Sequence, residues 1–137
     1  MEIKHKKAAR NSVIQALYNY HVGEYDDTEI FLEDFYNFIR PKIKPPVKQY
    51  FELLFKGIIS NMDKIIKYID KSFRGDFENL NITEKSIFYY AIYEMNFLNV
   101  DKNLVISEAL RLSDKFIGEL FSKKVNAFLD NMKKEEL

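Results

Sequence analysis

The scarcity of helix-breaking residues is the feature that most limits how this chain can fold. Only four glycines and three prolines occur in 137 residues, which argues against a turn-rich β architecture and for long helices joined by short loops. Hydrophobic residues make up 47% of the chain and charged residues 31%, the balance of a folded protein with one hydrophobic core. The sequence therefore predicts a single, compact, all-α domain.

Apolar residues recur at helical spacing in about six segments, which polar or proline-containing joints separate. The predicted helices cover about Lys6–His21, Thr28–Ile39, a segment that starts near Val47 and continues beyond a kink around Gly57–Asn61, Thr83–Phe97, Leu104–Phe116 and Ser122–Lys133. Asn81 and Glu84 stand at capping-box spacing and indicate where the fourth helix starts. These segments predict a bundle of six to seven helices.

Residues suited to catalysis or metal binding are absent or badly spaced. The chain has no cysteine, which excludes disulfides, zinc–thiolate sites and thiol catalysis. His5 and His21 are too far apart in the sequence to form a metal-binding pair, and the glycines stand singly, so no loop cradles a phosphate. We therefore expect a binding protein rather than an enzyme, with no metal and no cofactor.

Charge is balanced overall but unevenly distributed. The 21 basic and 21 acidic residues cancel, yet residues 1–10 are basic, residues 24–34 are acidic and residues 40–48 are basic again. Such blocks can place a positive patch on a neutral molecule, although charge alone favours the simpler interpretation of solvated faces. No apolar run approaches the ~20 residues that span a bilayer and no secretion signal is visible, which predicts a cytoplasmic protein without membrane contact.

The first predicted helix carries a mixed face opposite its apolar stripe. At 3.6 residues per turn, that face holds Lys7, Asn11, Ile14 and Tyr18, with Arg10 and Gln15 on its flanks. A basic stripe with an aromatic residue suits single-stranded nucleic acid, because cations hold phosphates and a ring stacks on a base. The alternative is that Tyr18 packs against a neighbouring helix, and the sequence favours neither.

Two later helices carry weaker signals. Lys123 and Lys124 fall in the first turn of the last predicted helix, where cations are mildly unfavourable, so they are candidates for holding a phosphate at the helix N-terminus. A lysine pair without function is the favoured alternative. The fourth helix is apolar nearly all round, which favours burial. Its tyrosine edge is an alternative docking surface for a protein partner, with Tyr93 beside Tyr90 and Phe97 on this edge and Tyr89 at its margin.

Short motifs follow one another in a distinctive order along the whole chain. The first is the basic segment Lys6–Arg10 leading into Gln15-Ala16-Leu17-Tyr18. The later motifs are Tyr50-Phe51 with Leu54 and Gly57, Glu84-Lys85-Ser86-Ile87, Ala91-Ile92-Tyr93-Glu94-Met95, Val105-Ile106-Ser107-Glu108-Ala109, Lys115-Phe116, and Lys123 with Val125-Asn126 and Leu129-Asp130. In this order the motifs resemble the NusB family of transcription antitermination proteins, and the first of them resembles the first helix of that family. Departures concentrate in Gly118–Lys124, where a commonly acidic position is apolar and Lys124 replaces an aromatic residue.

The resemblance implies an all-α fold of two helical subdomains, at about residues 1–75 and 76–137. It also implies binding to boxA-type single-stranded RNA of nascent rRNA transcripts, together with the ribosomal protein NusE, within the antitermination complex on RNA polymerase. Matched positions put RNA contacts at Lys6, Lys7, Arg10, Gln15, Tyr18 and Lys123, and Asn11 joins them from its place on the same face. NusE contacts fall around the central helix at Glu84 and Glu94, beside Tyr89 and Tyr93.

Two alternative functions and the oligomeric state remain open at this point. A helical protein–protein adaptor without RNA affinity would use the tyrosine edge of the central helix. An enzymatic alternative arises because NusB-like domains occur fused to rRNA cytosine methyltransferases, although 137 residues leave no room for the catalytic domain. The resemblance also leaves the oligomeric state open between monomer and homodimer.

Overall fold

The computed structural model describes residues 1–73, 75–135 and 137, and every regular element in these ranges is helical. Across them run seven α-helices, which are α1 (Ile3–Val22), α2 (Thr28–Asp34), α3 (Pro45–Ser60), α4 (Met62–Ser72), α5 (Ile82–Asn96), α6 (Lys102–Phe116) and α7 (Glu119–Asp130). A π-helical turn continues α2 and a 3₁₀ turn precedes α5. The all-α prediction is confirmed. None of the described helices has both the length and the apolar character needed to cross a membrane.

Local signals explain where most helices start. The Asn81 side chain accepts a hydrogen bond from the Glu84 N–H at 2.9 Å, and the Glu84 carboxylate accepts one from the Asn81 N–H at 2.9 Å. The predicted capping box is therefore confirmed, and it fixes the start of α5. Pro45 and Pro46 occupy the first turn of α3, where a missing N–H costs nothing.

Two helix boundaries differ from the prediction. The expected kink in the third helix is a full break, with Asn61 separating α3 from α4. The last helix begins at Glu119 rather than Ser122, so Lys123 and Lys124 lie beyond its first turn. The prediction that these lysines occupy the first turn was wrong, and the argument from the helix dipole no longer applies to them.

α1 and α5 form the centre of the bundle. α1 packs against α3, α5 and α6, while α5 also packs against α3, α4 and α6, and α7 packs on α6. Residues Ser86 to Met95 of α5 are all buried, which confirms the expected burial of this helix. The two central helices pack across the expected boundary at residue 75, and the division into two subdomains stays a prediction.

A glycine allows α3 and α5 to approach closely. A Cβ atom added to Gly57 would lie 1.9 Å from the Tyr93 hydroxyl oxygen and 2.1 Å from the carbon that bears it. The Tyr93 ring therefore occupies the space that any larger residue on α3 would need. This contact places Tyr93 within the α3–α5 interface.

Candidate nucleic-acid interface

A groove lies between α1 and the C-terminal end of α6. Its volume is about 440 Å³, and α1, the joint before α3, the start of α5 and the end of α6 all contribute to its lining. The lining residues are Asn11, Ile14, Gln15, Tyr18, Arg40, Thr83, Lys115 and Phe116. We call this feature the α1–α6 groove. The Tyr18 and Phe116 side chains are 44% and 37% exposed, so both rings remain accessible to a ligand.

The groove combines predicted and unpredicted residues. Asn11, Gln15 and Tyr18 were candidates from the sequence, and all three line it. Arg40 and the Lys115–Phe116 pair were not proposed as contacts, although the sequence shows a basic block at Arg40 and a family-like pair at Lys115–Phe116. Their convergence on α1 depends on tertiary packing, which no local pattern encodes.

Arg10 belongs to a buried ion network and not to the surface. It is 3% exposed, and its guanidinium donates to the Glu94 and Glu108 carboxylates at 2.8 Å each. Glu94 is fully buried and also accepts from the Tyr50 hydroxyl at 2.6 Å and the Tyr90 hydroxyl at 2.5 Å. The resemblance implied that Arg10 contacts RNA and that Glu94 contacts NusE. Neither side chain can make such a contact in this fold, because neighbouring helices cover both of them.

The protonation states of this network follow from burial and pairing. Burial raises the pKa of Tyr50 and of Tyr90, and Glu94 beside them raises it further, so both hydroxyls stay protonated and donate. Burial alone would lower the pKa of Arg10, but the neighbouring Tyr90 and Glu94 raise it. For the acidic Glu108, burial acts in the opposite direction and would raise the pKa, yet hydrogen bonds from Arg111 and Lys7 lower it to about 2.

Glu108 connects the buried network to the groove. Its carboxylate accepts from Lys7 at 3.0 Å, from Arg10 at 2.8 Å and from Arg111 at 2.8 Å. Arg111 also donates to the Asn11 side-chain oxygen at 2.8 Å. The candidate RNA contacts Lys7 and Asn11 are therefore both held by α6, at an edge where the Lys7 and Arg111 side chains are 45% and 29% exposed.

Lys6 and Lys123, the remaining candidate RNA residues, lie outside the groove. Ile14 is among the residues that line it but is only 1% exposed, so it serves packing and is not part of the solvated face expected from the helical wheel. Lys6 is half-buried, with its ammonium 5.2 Å from the centre of the Tyr50 ring. Lys123 is exposed on α7 and does not line the groove.

The candidate partner residues do not form one surface. Glu84 is half-buried and is engaged in the capping box of α5. Tyr89 borders an apolar groove between α1, α4 and α5, whereas Tyr93 borders a different groove on the α3 side. The expected single tyrosine edge is therefore divided between two grooves. Within the described ranges, no three His, Asp or Glu side chains gather as metal ligands do.

Comparison with known proteins gives matches over nearly the whole chain. The sequence model of the NusB family matches residues 7–134. The transcription antitermination protein NusB of Aliarcobacter butzleri is 33% identical over 127 residues, covering 92% of this chain and 95% of that protein. The NusB protein of Pasteurella multocida is 32% identical over 137 residues, covering 96% and 90%.

A solved structure agrees with this relationship. The crystal structure of the antitermination factors NusB and NusE in complex with dsRNA contains a chain similar to this one, with a TM-score of 0.80. The two are 20% identical, and the match covers 94% of this chain and 96% of the other. At that identity the likeness concerns the fold.

Proposed function

The chain belongs to the NusB family, and on that basis we propose that it is a transcription antitermination factor that binds boxA-type single-stranded RNA of nascent rRNA transcripts. It acts together with NusE and joins the antitermination complex on RNA polymerase. Its activity is binding, and it catalyses no reaction.

The composition of the α1–α6 groove is the observation that carries the proposal of an RNA site. Two accessible rings, Tyr18 and Phe116, stand in one groove with the cations Arg40 and Lys115. Rings stack on unpaired bases and cations hold phosphates, which is the usual arrangement in proteins that bind single-stranded RNA. Asn11 adds an amide that can read a base edge. Lys6, Lys7 and Lys123 contribute attraction for phosphates from outside the groove.

The proposed NusE contact adjoins this RNA site. Glu84 follows directly on Thr83, which lines the α1–α6 groove. A protein bound at Glu84 therefore approaches the RNA, and this proximity supports joint recognition of RNA by the two proteins. Tyr89 extends the contact along α5, and Tyr93 is left out of it because it borders a separate groove.

An RNA titration tests the proposed function. Fluorescently labelled boxA-type RNA is titrated with the chain, alone and with NusE, at several salt concentrations. We expect affinity to fall steeply with salt, because phosphate contacts release counterions. Tyr18→Ala is expected to weaken binding by roughly 1–3 kcal/mol, the usual worth of one base–aromatic stack, whereas Tyr18→Phe retains affinity.

Lysine variants provide the matched control. Lys115→Ala removes a cation from the groove and is expected to weaken binding and reduce the salt dependence. Lys67→Ala removes an exposed cation of α4, which does not line the groove, and is expected to retain affinity. Equal affinities of the parent, the Tyr18→Ala variant and the Lys115→Ala variant would overturn the proposed site.

The apolar groove beside Tyr89 supports a second candidate function, that of an adaptor without RNA affinity. This groove of about 520 Å³ is lined mainly by apolar side chains, among them Leu17, Met62 and the partly exposed Ile66. Such a surface suits a protein partner. An adaptor would bind NusE without detectable RNA affinity and would be unaffected by Tyr18→Ala, so the same titration separates the two functions.

A further inference from the structure

We propose that Arg111 determines which bases the α1–α6 groove accepts, by holding the Asn11 amide so that it acts as a hydrogen-bond donor. The inference rests on the proposed RNA binding and adds the chemistry of one recognised base. Arg111 is a positioning residue in this scheme, and Asn11 is the residue that touches RNA.

The orientation of the Asn11 amide follows from the hydrogen-bonding groups of arginine. A guanidinium carries donors and no acceptor, so the 2.8 Å contact between the Arg111 Nη1 and the Asn11 side chain requires the amide oxygen to face Arg111. Arg111 is itself fixed, because its Nε donates to Glu108 at 2.8 Å and its Nη2 approaches the Lys7 carbonyl oxygen at 3.4 Å. A rotation of the amide would bring two donors together and lose this hydrogen bond.

The amide nitrogen of Asn11 is left for a ligand. Oxygen and nitrogen lie on opposite sides of a planar amide, so an oxygen facing Arg111 turns the NH₂ group away from it. Asn11 lines the groove, and among the described residues its nitrogen has no protein acceptor. The groove therefore presents the N–H donors of Asn11, while the acceptor of that side chain is engaged.

This arrangement selects among bases. A free asparagine reads adenine with both ends of its amide, accepting from N6 and donating to N7. The Asn11 oxygen has a second lone pair, but it points at the Arg111 guanidinium. An adenine amino group would have to share this oxygen with a cation, so the paired contact is weakened. The remaining N–H donors match a keto oxygen, which is O4 of uracil or O6 of guanine, and do not match the amino group that cytosine and adenine carry at the same place. Where a base turns its C4 or C6 substituent towards Asn11, the groove therefore prefers the keto form of that substituent to the amino form.

A set of single-base exchanges tests the inference. The parent chain and an Arg111→Met variant are titrated with boxA-type RNA and with a series in which one keto base at a time is replaced by its amino counterpart, uridine by cytidine or guanosine by adenosine. For the parent, we expect one position at which the exchange costs about tenfold in affinity, the scale of one discriminating base contact. In Arg111→Met the amide is free to rotate, and this preference is expected to shrink to about twofold or less.

Charge-matched variants separate orientation from electrostatics. Lys115→Met removes one cation from the groove, as Arg111→Met removes one beside it, and it is expected to weaken the binding of all the RNAs alike while retaining the keto preference. Asn11→Asp retains the contact with Arg111 but offers acceptors alone, so it is expected to reverse the preference towards the amino base. Gln15→Glu adds the same negative charge to the same groove and is expected to retain the preference for the keto base. The comparison of Asn11→Asp with Gln15→Glu tests the inference even where Arg111→Met fails to fold.

The outcomes distinguish this inference from the proposed function. A parent chain that binds none of the RNAs, with or without NusE, contradicts the proposed function. A parent chain that binds RNA without a keto preference at any position, or an Arg111→Met variant that retains the full preference, overturns the role of Arg111 alone.

Discussion

Glu108 is the residue on which the buried ion network depends, because three cations share its one carboxylate. Removing one member of a buried ion pair leaves uncompensated charge, which costs about 3–5 kcal/mol. We therefore expect Glu108→Gln to lower the free energy of unfolding by about that amount in urea titrations at pH 7. Glu33→Gln, at an exposed position of α2, serves as the control and is expected to have little effect.

The same residue gives the protein a defined acid sensitivity. The pKa of Glu108 lies at about 2, below its ordinary value of 4.5. A lowered pKa stabilises the fold above pH 4.5, and this contribution is lost as the pH falls from 4.5 towards 2. The difference in unfolding free energy between the parent and Glu108→Gln is therefore expected to shrink over that interval. A difference that stays constant down to pH 3 would contradict the assignment.

Among single residues, exposure was the hardest property to predict. The candidates Tyr18, Asn11 and Gln15 all line one groove. The helical wheel placed the three on or beside one face of the first helix, and the family resemblance also pointed to Tyr18 and Gln15. The same wheel placed Arg10 and Ile14 on the solvent side, but both are buried. A helical wheel describes one helix and carries no information about which neighbour covers it.

At the scale of elements, the α3–α5 contact depends on Gly57. Gly57→Ala forces the Tyr93 ring to move, because the new Cβ would lie 1.9 Å from its hydroxyl oxygen. We expect a loss of about 1–3 kcal/mol in unfolding free energy, the usual cost of overpacking. In a Tyr93→Leu background the same substitution is expected to cost much less, and equal costs in the two backgrounds would exclude this contact as the cause.

The start of α5 offers a test of the NusE contact that leaves the fold intact. Glu84→Gln removes the charge but retains the capping box, since glutamine also fills that position. We expect it to weaken NusE binding in calorimetric titrations without changing the unfolding free energy. Asn81→Ala, in contrast, loses the cap and about 1 kcal/mol of stability. Undiminished NusE binding by Glu84→Gln would remove Glu84 from the partner site.

Helix positions were largely predictable because inward-facing apolar residues repeat at helical spacing. The start of α7 was missed for a physical reason. Its N-cap residue is Gly118, which has no side chain to cap the helix, so no capping signal marks the start, although the buried Phe121 continues the inward-facing pattern into the first turn. The π-helical turn at Phe35–Ile39 was likewise read as ordinary helix, because its altered hydrogen bonding leaves the apolar pattern unchanged.

At the scale of the whole molecule, the α1–α6 groove is a product of long-range packing. Arg111 of α6 reaches Asn11 of α1 across 100 positions of the sequence, and Arg40 joins from the segment between α2 and α3. The net charge of the chain is zero and therefore gives no sign that cations gather at this groove. The sequence could therefore indicate the family and one face of the site, whereas its opposite wall required the tertiary structure.

The central claim is that single-stranded RNA binds in the α1–α6 groove. The most direct test is an NMR titration of the ¹⁵N-labelled chain, whose 16.4 kDa mass suits the method, with unlabelled boxA-type RNA in the presence and absence of NusE. We predict that RNA shifts the amide signals of the groove residues Asn11, Gln15, Tyr18, Lys115 and Phe116 first and most strongly. Shifts confined to α2, α3 and α4, with these signals unchanged, would contradict the claim.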